Sequence, residues 1–265
     1  MRQTLFDLRR TAAERKIAML TCYDASFAAV VDRAGIDSLL IGDSLGMVVQ
    51  GHDSTLRVTV EDIAYHTRAV ARGSQRAFIV ADMPFGSYQG SPLQAFDSAV
   101  RLLQAGAQMV KLEGGDEMAP TIAFLVERGV PVCAHVGLTP QHVNRFGGYR
   151  IQGRGQAAAR IRAAARSVVQ AGAEMIVIEA VPEPLARAIA GESKALTIGI
   201  GASAACSGQV LVLHDMLGVA TDKRPRFVKN FLAEAGGVEA AARAYREQVG
   251  SGAFPADEHV YQDSN

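Results

Sequence analysis

The chain has 265 residues and sets 27 basic against 27 acidic side chains, so its formal charge is zero and neither nucleic acid nor an anionic membrane is favoured as a partner. With 49% hydrophobic and 20% charged residues its composition is that of an ordinary globular protein, which excludes disordered and fibrous chains. Three widely spaced cysteines, Cys22, Cys133 and Cys206, fit reduced thiols in a cytoplasmic setting better than a disulfide framework.

The opening segment, MRQTLFDLRRTAAERK, has no uninterrupted apolar core behind its charges, and no run of about 18 apolar residues occurs. A soluble, unexported protein is expected. In chain order, short apolar runs then recur, each preceded by a helix-like segment ending in Gly and followed by a polar or acidic residue. The first are KIAMLTCYD (16–24), DSLLIGDS (37–44) and AFIVADMPF (77–85), followed by QMVKLEGG (108–115) and PVCAHVG (131–137). EMIVIEA (174–180), LTIGIGAS (196–203) and QVLVLHD (209–215) complete the series. Eight buried strands alternating with helices predict an α/β fold, a (β/α)8 TIM barrel.

Helix boundaries are also legible. Thr59 and Asp62 form a capping-box pair before EDIAYHTRAV. In SPLQAFDSAVRLLQAGA, Ser91 caps, Pro92 fits the first turn, and Leu93, Phe96, Val100 and Leu103 fall on one face. Gly106 stops that helix, and Gly35, Gly129 and Gly172 stand at equivalent ends. Strands seven and eight are so close in sequence that only a turn or a very short helix is expected between them. No linker divides the chain, so a single domain over residues 1–265 is expected, with a tail from about Ser251 that is either a disordered end or docked through Phe254 and Tyr261.

The functional signal is where the ionisable residues fall. Asp24, Asp43, Asp82, Glu113, His135, Glu179 and Asp215 each lie at or just past the C-terminal end of a predicted strand, and in a parallel barrel these ends share the face where active sites occur. Lys111 and Glu113 point the same way because side chains alternate along a strand. They form either a local ion pair or a site in which Glu113 supports a metal and Lys111 anchors an anionic substrate. Asp43 and Asp82 add hard oxygen ligands, which select Mg2+ over Zn2+ and leave coordination positions for a chelating substrate. His135 and His142 lack companions at zinc spacing, and His135 is either a satisfied structural residue or a substrate contact. GIGASA (199–204) matches a dinucleotide pattern but runs straight into the next strand, without the required phosphate-binding helix. Cys22 has no partner histidine nearby in sequence and is read as packing.

These residues sit in the segments TCYDASFA, IGDSLGMVVQGHDSTL, YHTRAV, ADMPFGSY, VKLEGG, PVCAHVGLTPQ, GGYRIQGR, TIGIGAS, GQVLVLHDMLG and FPADEH. Through them nearly the whole chain resembles the 3-methyl-2-oxobutanoate hydroxymethyltransferase (ketopantoate hydroxymethyltransferase) family. The resemblance implies transfer of a hydroxymethyl group from 5,10-methylenetetrahydrofolate to 3-methyl-2-oxobutanoate through a Mg2+-stabilised enolate, giving 2-dehydropantoate for pantothenate biosynthesis. It implies Asp43, Asp82 and Glu113 as the Mg2+-site carboxylates, with Asp43, Ser44, Asp82, Lys111 and His135 as substrate contacts and Glu179 as the general base. A homo-oligomer, often a decamer, is also implied. Ser203 and Ser207 stand where the family usually has Gly and Asp, and Arg57 where it has Pro.

Two rival readings share the pattern. One is another Mg2+-dependent 2-oxo-acid lyase or mutase of the phosphoenolpyruvate mutase and isocitrate lyase type, although the lyase signature K-K-C-G-H is absent. The other is a catalytically dead barrel used for binding or assembly, against which the retained Asp43, Asp82, Glu113 and Glu179 argue.

Overall fold

The structure, a computed structural model, describes residues 1–219 and 225–263. Helix α1 (Leu5–Glu14), opened by a reciprocal Thr4 and Asp7 capping box, leads into β1 (Ile17–Thr21) and α2 (Ala25–Arg33). Strand β2 (Ser38–Ile41), the single turn α3 (Leu45–Val48), α4 (Val60–Gly73) and β3 (Phe78–Asp82) follow. Next are α5 (Pro92–Gln104), β4 (Met109–Glu113), α6 (Ala119–Val126) and β5 (Val132–Gly137). The chain continues through α7 (Val143–Phe146), α8 (Ala157–Gln170), β6 (Met175–Glu179) and α9 (Glu183–Glu192). It then forms β7 (Leu196–Ile200), β8 (Gly208–Leu211), α10 (Leu213–Met216) and α11 (Val238–Gly250).

Each strand pairs in parallel with its sequence neighbours and β8 returns to β1, closing the (β/α)8 barrel that the sequence predicts. The strands are buried on both faces, which is why they read as continuous apolar runs rather than alternating ones. The capping signals hold: Thr59 and Asp62 bond reciprocally at α4, and Ser91 accepts from the Gln94 amide at α5. Gly35, Gly106, Gly129 and Gly172 reverse the chain at φ between +80° and +116°, a region costly for other residues. Residues 201–207 join β7 to β8 without a helix, as the short spacing requires. Tyr245 of α11 closes that seam, its hydroxyl lying 2.9 Å from Met19 O on β1 and 3.0 Å from Gln209 O on β8.

On α5 the apolar face marked by the sequence is not the most deeply buried one. Leu93 is 67% exposed, and the stripe that meets the sheet is Ala95, Ser98, Ala99 and Leu102. Small residues let the helix lie close to the strands, while the bulkier Phe96 packs sideways, edge-on to Phe124 of α6 with centroids 6.5 Å apart. The tail docks: Phe254 packs against Phe231, Tyr245 and His259, and the Tyr261 carbonyl accepts from the Glu183 amide at 2.7 Å. Its last two positions, 264 and 265, lie outside the described residues. Among the described residues no helix is long and apolar enough to cross a membrane.

Candidate active site

Five of the seven strand-end residues gather at the barrel mouth: Asp43 just past β2, Asp82 ending β3, Glu113 ending β4, His135 on β5 and Glu179 ending β6. The other two stand at the starts of helices. Asp24 is exposed and caps α2, accepting from the amides of Ser26 and Phe27 at 2.8 and 2.9 Å. Asp215 lies beyond β8, in the first turn of α10.

Parallel register brings the cluster together by pairing Asp82 with Lys111 and Glu113 with His135 across adjacent strands. Lys111 does form an ion pair, but with Asp82 rather than Glu113: Nζ donates to Oδ1 at 2.6 Å, with both side chains buried. The second Asp82 oxygen accepts the Asp43 amide at 2.9 Å. Ser44 is half-buried beside them, its Oγ 2.9 Å from the Tyr23 hydroxyl.

Two residues that strand-end reasoning missed complete the network. Gln141, in the loop after β5, donates its side-chain amide to Asp43 Oδ2 at 2.9 Å and to Met83 O at 3.0 Å, while its backbone amide donates to Glu113 Oε2 at 2.9 Å. Tyr88, fully buried in the loop after β3, places its hydroxyl 2.6 Å from Gln141 Oε1 and accepts the Glu113 amide at 3.0 Å. Both lie several residues past a strand, where neither periodicity nor strand-end position marks them; a polar residue buried in a loop betrays itself only in three dimensions.

His135 bridges the cluster to Glu179. Its Nδ1 is 3.4 Å from Glu113 Oε1 and its Nε2 is 3.3 Å from Glu179 Oε2, distances of ion pairs without the alignment of hydrogen bonds. Burial alone would lower the His135 pKa, but the flanking carboxylates raise it to about 9. Burial raises Asp43 well above the usual carboxylate range, reinforced by Asp82 and Glu113. Lys111, which burial alone would depress, is held above the ordinary lysine range by Asp82, Glu113 and Asp43. Glu113 is lowered despite its burial, because His135, Lys111 and the Gln141 amide favour its charged form. Glu179 is the most open of the four carboxylates, with its side chain 14% exposed. At the rim, half-exposed Tyr149 lies 3.4 Å from Met47 Sδ.

This set fits a divalent cation. Four carboxylates face one lysine and one histidine, Asp43 is destabilised as an anion, and Glu113 Oε1 is buried without a hydrogen bond from the protein. Among the described residues no three Asp, Glu, His or Cys side chains converge as a ready cage. Mg2+ does not require such a cage, since it commonly takes one or two carboxylates and fills its octahedron with water and substrate oxygens.

The remaining sequence readings are placed as follows. Burial pushes the Cys22 thiol up to about 12, consistent with packing rather than nucleophilic chemistry. His142 meets Thr139 Oγ1 at 2.9 Å. Ser203 is buried and donates to Glu183 Oε1 at 2.7 Å, so its hydroxyl ties the loop after β7 to the start of α9. Ser207 Oγ lies 3.3 Å from Thr197 Oγ1, away from the carboxylate cluster, and Arg57 is exposed at the end of a single turn.

The family model described as ketopantoate hydroxymethyltransferase matches residues 2–257. A 3-methyl-2-oxobutanoate hydroxymethyltransferase of Chromobacterium violaceum is 60% identical over 262 residues, covering 98% of this chain and 100% of that protein. One from Azoarcus sp. is 61% identical over 261 residues, covering 97% of this chain and 96% of its own. Among solved structures, phosphoenolpyruvate phosphomutase from Streptomyces platensis subsp. rosaceus superposes with a TM-score of 0.62 over 82% of this chain and 83% of that one. At 14% identity that likeness shows the barrel fold alone.

Proposed function

The chain belongs to the ketopantoate hydroxymethyltransferase family, and from that premise we propose that it transfers a hydroxymethyl group from 5,10-methylenetetrahydrofolate to 3-methyl-2-oxobutanoate, giving 2-dehydropantoate. The observation that carries this reading in the barrel is the division of its acids: a buried, anion-rich set beside Lys111, and the more open Glu179 across the His135 ring.

Asp43 and Asp82 would hold Mg2+, with Glu113 as the third carboxylate of the set. Bound there, the ion supplies Lewis-acid stabilisation of negative charge developing on the keto oxygen, worth several kcal/mol. Lys111 and Ser44 hold the substrate's carboxylate; an ammonium has three donors, and Asp82 takes one. Glu179 removes the proton from C3, a role worth about 10²–10⁴-fold for a positioned base. His135, beside Glu179 Oε2, contacts the substrate and keeps the base from turning away. C3 then attacks the one-carbon unit, and water completes the hydroxymethyl group as tetrahydrofolate leaves.

We read the whole chain, residues 1–265, as one functional domain, working in the cytoplasm as a homo-oligomer, a decamer by family resemblance. Its three cysteines are free and buried, which suits a reducing compartment. Sedimentation at monomer mass under assay conditions would remove the oligomer from this reading. The direct test is to incubate the protein with 3-methyl-2-oxobutanoate, methylenetetrahydrofolate and Mg2+ and to look for 2-dehydropantoate. Product should form, stop with EDTA and return when Mg2+ is added back. Equal turnover in metal-free buffer would contradict the Mg2+ assignment, and no product with Mg2+ present would favour a non-catalytic barrel.

A further inference from the structure

We infer that Gln141 is a positioning residue for the cation site, fixing the spacing of Asp43 and Glu113 through a single side chain braced by Tyr88. The inference rests on the reading of those carboxylates as the Mg2+ site.

Asp43 and Glu113 come from different strands, and no hydrogen bond joins them directly. Gln141 reaches both: its backbone amide meets Glu113 Oε2 and its side-chain amide meets Asp43 Oδ2, each at 2.9 Å. Which end of the amide faces Asp43 is set by its surroundings. The two N–H groups are taken by Asp43 Oδ2 and Met83 O, while Oε1 faces the Tyr88 hydroxyl at 2.6 Å and Gln89 Nε2 at 3.2 Å. Turning the amide over would aim its N–H groups at the Gln89 amide and its oxygen at a carboxylate and a carbonyl, so one orientation wins. Tyr88 also accepts the Glu113 backbone amide at 3.0 Å, tying this brace to the end of β4. Gln141 is 3% exposed and Tyr88 fully buried, so water does not compete for these bonds.

Gln141 is neutral, which matters as much as its reach. It donates to Asp43 Oδ2 and leaves Oδ1 for a cation without supplying a competing positive charge. Glu113 Oε1 likewise stays without a hydrogen bond, 3.4 Å from His135 Nδ1, while Oε2 is held. One oxygen of each carboxylate is fixed and the other left available, as expected of groups that orient ligands rather than neutralise them.

The test is Mn2+ binding to metal-free protein by electron paramagnetic resonance, with Gln141→Leu as a variant of similar volume. Wild type should bind Mn2+, and Gln141→Leu should bind about 10–100-fold more weakly. Because Glu179 is untouched, saturating Mg2+ should return kcat to within about threefold of wild type, a split between metal affinity and kcat that general loosening of the fold would not give. A folded Gln141→Leu protein with wild-type Mn2+ affinity would overturn the inference, as would affinity loss with no recovery of kcat. Should Gln141→Leu fail to fold, Tyr88→Phe decides: it should weaken Mn2+ binding about tenfold, the lower end of that range because Gln89 still contacts Gln141 Oε1, and unchanged affinity would overturn the inference. Failure of wild type itself to bind Mn2+ would overturn both this inference and the cation reading beneath it.

Discussion

At the N-terminal end of the barrel the buried Asp37 carboxylate receives both terminal nitrogens of Arg15 at 2.8 Å and the Ala18 amide at 3.0 Å, whereas at the C-terminal end Glu113 Oε1 and both ring nitrogens of His135 are buried without a hydrogen bond. Asp32, also near the N-terminal end, accepts from the Ser74 hydroxyl and the amides of Gln75, Arg76 and Ala77. Arg2 donates there to the carbonyls of Ala71, Ser74 and Ala77. Both ends bury charge, but Asp32 and Asp37 at the base are fully partnered while Glu113 and His135 at the mouth leave atoms waiting. On the proposed function, the same chemical types serve stability at the base and binding at the mouth.

The sharpest way to break that comparison is a pair of substitutions. Asp43→Asn at the mouth should lower kcat/KM by at least about 100-fold. Its thermal midpoint in metal-free buffer should be unchanged or higher, because it removes a buried anion disfavoured by Asp82 and Glu113. Arg15→Met at the base should do the reverse. It strands the buried Asp37 carboxylate, at a cost of about 3 kcal/mol, the low end for a broken buried pair because Arg15 is partly exposed. Urea unfolding reads that loss, while kcat/KM per folded molecule should stay at the wild-type value. A mouth variant that unfolds without losing activity per folded molecule would erase the distinction.

A smaller effect separates the two ends by sign. Without metal, folded Asp43 holds its proton to higher pH than the unfolded chain does, so its contribution makes stability fall as pH rises from about 4 through its folded pKa. Asp32 runs oppositely. Burial works against its anion, but the surrounding amides and the Ser74 hydroxyl outweigh that and lower its pKa, so its contribution is present above about pH 4 and lost as pH falls through the folded value. In EDTA, urea unfolding across pH should show Asp43→Asn removing the first slope and Asp32→Asn the second. Wild-type slopes in both variants would mean that the two carboxylates do not differ as the structure indicates.

The barrel was legible because its strands are buried on both faces and its helices end in glycine, signals confined to short stretches of chain. On α5 the spacing marks an apolar face but not which residues are most buried: Leu93 is large yet exposed, while Ala95 and Ala99 meet the sheet. At the site, strand ends located Asp43, Asp82, Glu113, His135 and Glu179, which parallel register carries to one mouth. It could not tell a helix cap from a ligand at Asp24, since both place an acid just after a strand. Nor could it find Tyr88 and Gln141, whose importance lies in contacts spanning 25 to 98 residues of sequence.

The central claim is that the mouth performs proton chemistry through Glu179, and hydrogen exchange tests it without the folate. In deuterated water with Mg2+, wild type should exchange the C3 proton of 3-methyl-2-oxobutanoate, since removing that proton needs no one-carbon donor. Glu179→Gln keeps the shape and deletes the base, so it should still bind the keto acid while exchanging it about 10²–10⁴-fold more slowly. Exchange at the wild-type rate in Glu179→Gln would contradict the account and move the base to another group.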